Sequence, residues 1–62
     1  MKWHDAKKEW PDINSYILAV DDDRDFILGY SRQEYIKDWK LGDMPRDEVT
    51  YWCYLSDIKL PN

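Results

Sequence analysis

Apolar and aromatic residues concentrate in three short segments of the chain, and this pattern predicts three β-strands. Residues 15–21 read Ser-Tyr-Ile-Leu-Ala-Val-Asp, so both faces of the first predicted strand are apolar. The second, residues 26–30, follows a polar turn and forms an antiparallel hairpin with the first. Gly29 inside it indicates a bulge or the close approach of a large ring. The third, residues 49–55, is the strongest strand signal because it is rich in aromatic and β-branched residues.

One short helix is predicted between the second and third strands. Ser31 followed by Glu34 has the spacing of a capping box, and Gly42 stands where a helix would end. The side chains that recur at helical spacing are those of Tyr35, Ile36 and Trp39. These signals predict a helix over residues 32–40. The alternative is a continuation of the second strand followed by a loop.

Residues 1–12 are predicted to form an N-terminal arm. Asp5 can cap a single turn, and Trp3 and Trp10 are seven positions apart, which places both indoles on one face if the stretch is helical. We expect this arm to lay the two indoles across an open edge or face of the sheet. Residues 42–48 predict a polar loop.

Together these elements predict one small α+β domain spanning residues 1–62. It consists of a three-stranded antiparallel sheet, connected as a meander, with one short helix after the second strand and the N-terminal arm. Three strands with one covered face are about the minimum for a sheet that is stable by itself.

Charge narrows the range of functions. Nine basic against thirteen acidic residues give a net charge of −4, which disfavours nucleic acid and anionic membranes as partners. No apolar run reaches the roughly 18–20 residues of a membrane span. A single cysteine and the lack of an export signal predict a cytoplasmic protein.

Cysteine and histidine are too few for a disulfide or a zinc site. Cys53 has no second cysteine to pair with, and one histidine with one cysteine cannot supply four zinc ligands. We therefore expect no metal and no cofactor. Cys53 has only His4 as a potential base, so the sequence predicts a buried, inert thiol and a protein that is not an enzyme.

Aromatic residues are the remaining means of stabilising so short a chain. It has four tryptophans, five tyrosines and one phenylalanine, and most of these are expected in the core. One short helix and an arm cannot cover both faces of the sheet, so one face is expected to bind a partner or a second protomer. The face of Thr50, Trp52 and Tyr54 is expected to carry surplus aromatic surface. The interaction candidates are Trp39, Tyr51, Trp52, Tyr54 and Tyr35.

Several short motifs follow one another in a recognisable order. They are Trp3, Trp10-Pro11, Ile17-Leu18-Ala19-Val20-Asp21, Leu28-Gly29-Tyr30, Trp39 and Val49-Thr50-Tyr51-Trp52-Cys53-Tyr54-Leu55. This order resembles domain-of-unknown-function family 551, which comprises small phage and prophage proteins. Tyr51 stands where that family often has histidine, and Tyr54 where it often has proline. The resemblance implies an accessory protein of a mobile element, with no catalytic residues to transfer.

Acidic residues cluster in the predicted hairpin turn. Asp21, Asp23 and Asp25 have the alternate spacing that opens an EF-hand loop. The loop would then need glycine and glutamate where Phe26 and Arg32 stand, so the motif fails. We interpret the segment as a solvated turn without a metal ion.

Three hypotheses for the function follow. The first is a non-enzymatic interaction module that binds a host or phage protein through aromatic anchors, or forms a homodimer by pairing sheet edges. The second is an inhibitor that mimics nucleic acid, and the third is an aromatic-lined binder of a small ligand. The acidic residues that the second hypothesis requires are Asp21, Asp22, Asp23, Asp25, Asp43, Asp47 and Glu48.

Overall fold

The structure is a computed structural model that describes residues 2–38, 40 and 42–58, and these residues form one antiparallel sheet of six strands. The strands are β1 (His4–Asp5), β2 (Tyr16–Asp21), β3 (Phe26–Ser31), β4 (Tyr35–Asp38), β5 (Gly42–Pro45) and β6 (Val49–Tyr54). Single turns of 3₁₀ helix follow β5 and β6, at Arg46–Glu48 and Leu55–Asp57. The strands lie in the order β1-β6-β2-β3-β4-β5.

The prediction of a three-stranded sheet with a helix is wrong. The three predicted strands are present as β2, β3 and β6, and β2 and β3 form the expected antiparallel hairpin. However, β6 pairs with β2 and not with β3, so these three strands are not a meander. The free edge of β3 is instead taken by β4, which pairs in turn with β5.

The predicted helix over residues 32–40 is replaced by a turn and β4. Ser31 is no helix cap, because its buried hydroxyl donates to the carbonyl of Asp12 and accepts from the backbone N–H of Ser15. Along β4, buried Ile36 and Asp38 alternate with the less buried residues between them, which is the two-residue period of a strand. The candidate Trp39 lies outside the described residues.

The predicted polar loop over residues 42–48 is also wrong. Its first half is β5, in which Met44 lies opposite Ile36 and packs against the core. Gly42 opens this strand with a φ of +91°, a conformation that glycine adopts readily. The glycine that indicated a helix end therefore belongs to a hairpin.

Gly29 marks a close approach of backbone to backbone. A Cβ at this position would lie 1.9 Å from the carbonyl oxygen of Lys37 on β4, so the neighbouring strand, not an aromatic ring, occupies the space. The bulge lies elsewhere, between Val20 and Asp21 where β2 pairs with β6.

One face of the sheet carries the core, and the N-terminal arm covers it. The buried cluster consists of Ala6, Ile17, Ala19, Ile27, Ile36, Val49 and Trp52. The predicted turn at Asp5 is present, since the backbone N–H groups of Lys8 and Glu9 both donate to its carbonyl oxygen. The chain then continues across the core to Trp10, which packs against the cluster.

Two indole N–H groups fasten the arm to the sheet. Trp52 Nε1 donates to the Glu9 carbonyl oxygen at 3.0 Å, and Trp10 Nε1 donates to the Arg32 carbonyl oxygen at 2.8 Å. Trp3 does not share a face with Trp10 as expected. It lies on the other side of the sheet, beside Phe26. Within the described residues, no helix is long and apolar enough to cross a membrane.

Candidate functional site

The side of the sheet opposite the core is exposed and largely aromatic. Strand alternation places Val20, Phe26 and Tyr51 there, because Ala19, Ile27 and Trp52 next to them point into the core. We call this side the outer face and define it by Trp3, Tyr16, Val20, Phe26, Leu28 and Tyr51. The exposed fractions are 65% for Phe26, 57% for Tyr16, 46% for Tyr51, 44% for Leu28 and 41% for Trp3.

This exposure is contiguous across strands. Tyr16 lies opposite Tyr30, Leu18 opposite Leu28, and Val20 opposite Phe26 in the pairing of β2 with β3. Val20 also lies opposite Tyr51 of β6, so the apolar side chains extend over three adjacent strands. A single exposed apolar residue is ordinary, whereas a continuous group of this kind marks an interaction site.

A small recess lies at one end of the outer face. It has a volume of about 300 Å³ and is lined by Trp3, Val20, Phe26 and Tyr51. The ring centroids of Trp3 and Phe26 are 6.5 Å apart, with an angle of 43° between the ring planes. Three aromatic rings and one aliphatic side chain therefore surround a space open to solvent, which we call the aromatic recess.

A second depression adjoins the aromatic recess and shares three of its residues. It has a volume of about 710 Å³, and its lining adds Asp21, Asp22, Arg24 and Thr50 to Val20, Phe26 and Tyr51. The apolar recess therefore opens directly onto the acidic turn between β2 and β3.

Hydrogen bonds within the acidic turn fix its shape. Asp21 Oδ1 accepts from the backbone N–H groups of Asp23 and Asp25, both at 2.9 Å. Arg24 completes the turn with a φ of +64°. Carboxylate oxygens of Asp21, Asp23 and Asp25 lie within 4.8 Å of one another. This proximity follows from the turn itself, so it assigns no metal site.

The seven acidic candidates do not form one group. Asp22 lies on the turn, where its Oδ1 accepts from the Thr50 hydroxyl at 3.1 Å. Asp43 lies on β5, opposite Lys37. Asp47 and Glu48 are exposed on the 3₁₀ turn before β6. The acidic surface that the structure brings together is therefore the turn over residues 21–25.

The aromatic candidates lie in three different environments. Tyr51 is on the outer face, whereas Trp52 is only 1% exposed and stacks on the ring of His4 at 4.2 Å. Tyr54 is half-buried, with its ring 4.9 Å from that of Trp52 and its hydroxyl accepting from the backbone N–H of Asp12. Tyr35 is half-buried on β4. The expected surplus at the face of Trp52 is therefore the core, and the surplus lies on the opposite side.

Sequence reasoning missed Phe26, Leu28, Tyr16 and Trp3 as interaction residues. Alternation along the first predicted strand did separate Tyr16 from the core residues Ile17 and Ala19, whereas Trp3 was expected on the same face as Trp10. The missing information was which of the two apolar faces the arm covers, and that depends on the pairing of β1 with β6.

Cys53 and His4 lie on opposite sides of the sheet. Cys53 has no exposed surface and lies opposite Leu18. His4 is on the core side, where its Nδ1 lies 2.7 Å from Glu9 Oε1. Burial raises the pKa of the Cys53 thiol, and the negative charge of Asp57 raises it further. The structure therefore does not pair this thiol with the imidazole.

No protein family, curated protein or solved structure matches this chain. The resemblance to family 551 accordingly stays a prediction.

Proposed function

We propose that the chain is a non-enzymatic interaction module whose outer face binds a protein partner. The observation that carries this proposal is the continuous group of large exposed side chains on β2, β3 and β6. Trp and Tyr are among the residues that most often anchor protein interfaces, and here Tyr16 and Tyr51 stand on strands of the sheet while Trp3 directly precedes β1. The resemblance to small phage and prophage proteins supports a role as a cytoplasmic accessory protein of a mobile element.

A different protein is the better candidate partner than a second copy. Each copy carries a net charge of −4, and the acidic turn borders the outer face. Two such faces brought together would add like charges around their apolar centre, which opposes association. The same charge disfavours nucleic acid and an anionic membrane surface.

Nucleic-acid mimicry has weaker support from the same charges. A mimic needs a continuous array of carboxylates, but Asp43 lies opposite Lys37 and the turn contains Arg24.

Binding of a small ligand has one specific observation in its favour, the aromatic recess of about 300 Å³. That recess is too open to enclose a ligand by itself, so we treat it as one part of a protein-binding surface.

The first prediction is that substitutions on the outer face abolish partner binding without unfolding the protein. Phe26→Ser and Tyr51→Ser remove exposed aromatic surface and leave the core cluster intact. Immobilised wild type is expected to retain a specific protein from a lysate of the cells that carry it, and the two variants are expected to lose it. Mass spectrometry of the retained proteins is the measurement.

Ile13→Ser is the matched control for this experiment. Ile13 is 53% exposed and lies outside the outer face, so its substitution removes apolar surface without touching the proposed site. Sedimentation of the wild type alone distinguishes self-association from partner binding. Equal retention by wild type and both face variants, or a stable dimer of the wild type, contradicts the proposal.

A further inference from the structure

We propose that the aromatic recess binds the cationic side chain of a lysine or arginine in a basic segment of the protein partner. This inference rests on the proposed function and adds the chemistry of the partner. Its grounds are the identity of the lining residues, the carboxylates beside them and the charge of the whole chain.

The lining of the recess suits an organic cation. Trp3, Phe26 and Tyr51 present three rings around one space, and a cation within about 6 Å of a ring centroid is attracted by the negative face of its π system. Several rings around one space are the usual arrangement for recognition of alkylated ammonium groups. None of these four lining residues carries a carboxylate, the side-chain ligand that a hard metal ion prefers.

The adjoining depression supplies negative charge at the mouth of the recess. Asp21 and Asp22 line it, and neither carboxylate forms an ion pair with a lysine or arginine in the part of the chain described by the structure. Asp22 keeps a hydrogen bond from Thr50, which holds the carboxylate at the edge of the depression. A positive group placed between rings and carboxylates would gain from both.

A lysine or arginine side chain matches a surface that is aromatic in the recess and acidic in the adjoining depression. Its aliphatic stem can pack on Val20 and the rings, while its charged head faces the carboxylates and solvent. The net charge of −4 also attracts a basic segment over a longer distance and raises the rate of encounter. Arg24 also lines this depression, and its positive charge repels a cationic ligand and lowers the affinity for it.

The test uses the full chain and two peptides of equal length. Each is a flexible Gly-Ser peptide with two central side chains, arginine in one and its neutral isostere citrulline in the other. The indole ¹H–¹⁵N resonance of Trp3, assigned with Trp3→Phe, reports on the recess, and that of buried Trp52 serves as an internal reference. We expect the arginine peptide to move the Trp3 resonance with an affinity about tenfold higher than that of the citrulline peptide.

One ring variant and three charge variants separate the ring and charge contributions. Phe26→Leu keeps apolar surface and removes a ring, and we expect binding of the arginine peptide about two- to fivefold weaker. Asp22→Asn preserves the acceptor for Thr50 and removes a charge, so it should weaken binding. Asp43→Asn makes the same charge change on β5 and should have little effect. Arg24→Asn should strengthen binding.

Equal affinity for the two peptides overturns the inference, as does an unchanged affinity in Phe26→Leu. Equal effects of Asp22→Asn and Asp43→Asn also contradict it. If tetramethylammonium shifts the Trp3 resonance and the arginine peptide does not, the recess binds a free small cation and not a side chain of the partner. That result also overturns the inference. The proposed function fails separately, because it requires only that Phe26→Ser and Tyr51→Ser lose the partner.

Discussion

Cys53 is buried although it lies on the exposed face of the sheet, and its thiol is expected to be unreactive. Its thiol has no exposed surface even though Tyr51, two positions earlier on the same side of β6, is 46% exposed. Burial and the charge of Asp57 both favour the protonated thiol and raise its pKa above the ordinary value of 9.0. The reactive thiolate is therefore disfavoured in the folded protein.

The folded protein should protect Cys53 from thiol reagents. At neutral pH, reaction with a disulfide reagent is expected to follow the unfolded fraction, and urea should accelerate it steeply.

The raised pKa of Cys53 also predicts how stability depends on pH. A folded-state pKa above the unfolded value stabilises the fold at pH below about 9.0, and this contribution is lost as the pH rises through the folded pKa. The free energy of unfolding should therefore fall more between pH 8 and 11 for wild type than for Cys53→Ala. Fast labelling in native buffer would contradict the buried position.

The face on which Trp52 lies could not be predicted from the sequence. Alternation correctly assigns Tyr51 and Trp52 to opposite faces, but it does not say which face becomes the core. The small side chain of Ala19 opposite Trp52 leaves room for the indole, and His4 stacks on its other side. That stacking requires β1 to pair with β6, a contact between the two ends of the chain that no local pattern contains.

Two hairpins determine the architecture at the level of elements. The hairpin of β2 and β3 was predictable because a polar turn separates two apolar runs. The hairpin of β4 and β5 was not, since its strands are four residues each and contain charged residues and a proline. The Ser31 and Glu34 spacing of a capping box arose by coincidence, because the Ser31 hydroxyl bonds to residues 12 and 15.

Gly29 is the position at which the two hairpins depend on each other. Gly29→Ala would place a Cβ 1.9 Å from the Lys37 carbonyl oxygen, and backbone cannot move aside as a flexible side chain can. We expect a loss of about 3 kcal/mol or more in the free energy of unfolding, with loss of the cross-strand NOEs between β3 and β4. Urea denaturation followed by tryptophan fluorescence measures the stability.

Gly42→Ala is the matched control for this substitution. A Cβ at Gly42 meets no atom within 4 Å, so only its positive φ is unfavourable. We expect a loss of about 1–2 kcal/mol with the β3–β4 pairing retained. Similar effects of both substitutions on that pairing would show that the close contact at Gly29 does not limit the sheet.

At the scale of the molecule, the described residues form a single sheet with the N-terminal arm as its second layer. The single cysteine allows no internal disulfide, and the buried apolar cluster comprises seven of the described residues, so the arm provides the second layer that a helix provides in small α+β domains. Two indole hydrogen bonds and the stacking of His4 on Trp52 hold it in place. The arm covers one face only, and for this reason the other face remains available for a partner.

Trp52→Phe tests whether the arm is a necessary part of the fold. The substitution removes the hydrogen bond to the Glu9 carbonyl and part of the buried ring, and we expect a loss of about 2 kcal/mol. Faster hydrogen exchange at the backbone N–H groups of Lys8 and Glu9 should accompany it. Tyr51→Phe, next to it on the exposed face, should change stability by less than about 0.5 kcal/mol. Equal stability of Trp52→Phe and wild type would mean that the arm contributes little.

The pairing of β2 with β6 also has a consequence during protein synthesis. Val20 lies opposite Tyr51, so β2 acquires its second neighbour only after the ribosome has translated about 30 further residues. At about 5–20 residues per second, synthesis of these residues takes a few seconds, during which the core face of the hairpin of β2 and β3 is not yet packed against Trp52. The centre of the sheet therefore forms only after β6 has been synthesised, and we expect a chain truncated before β6 to be degraded by proteases faster than one that contains it.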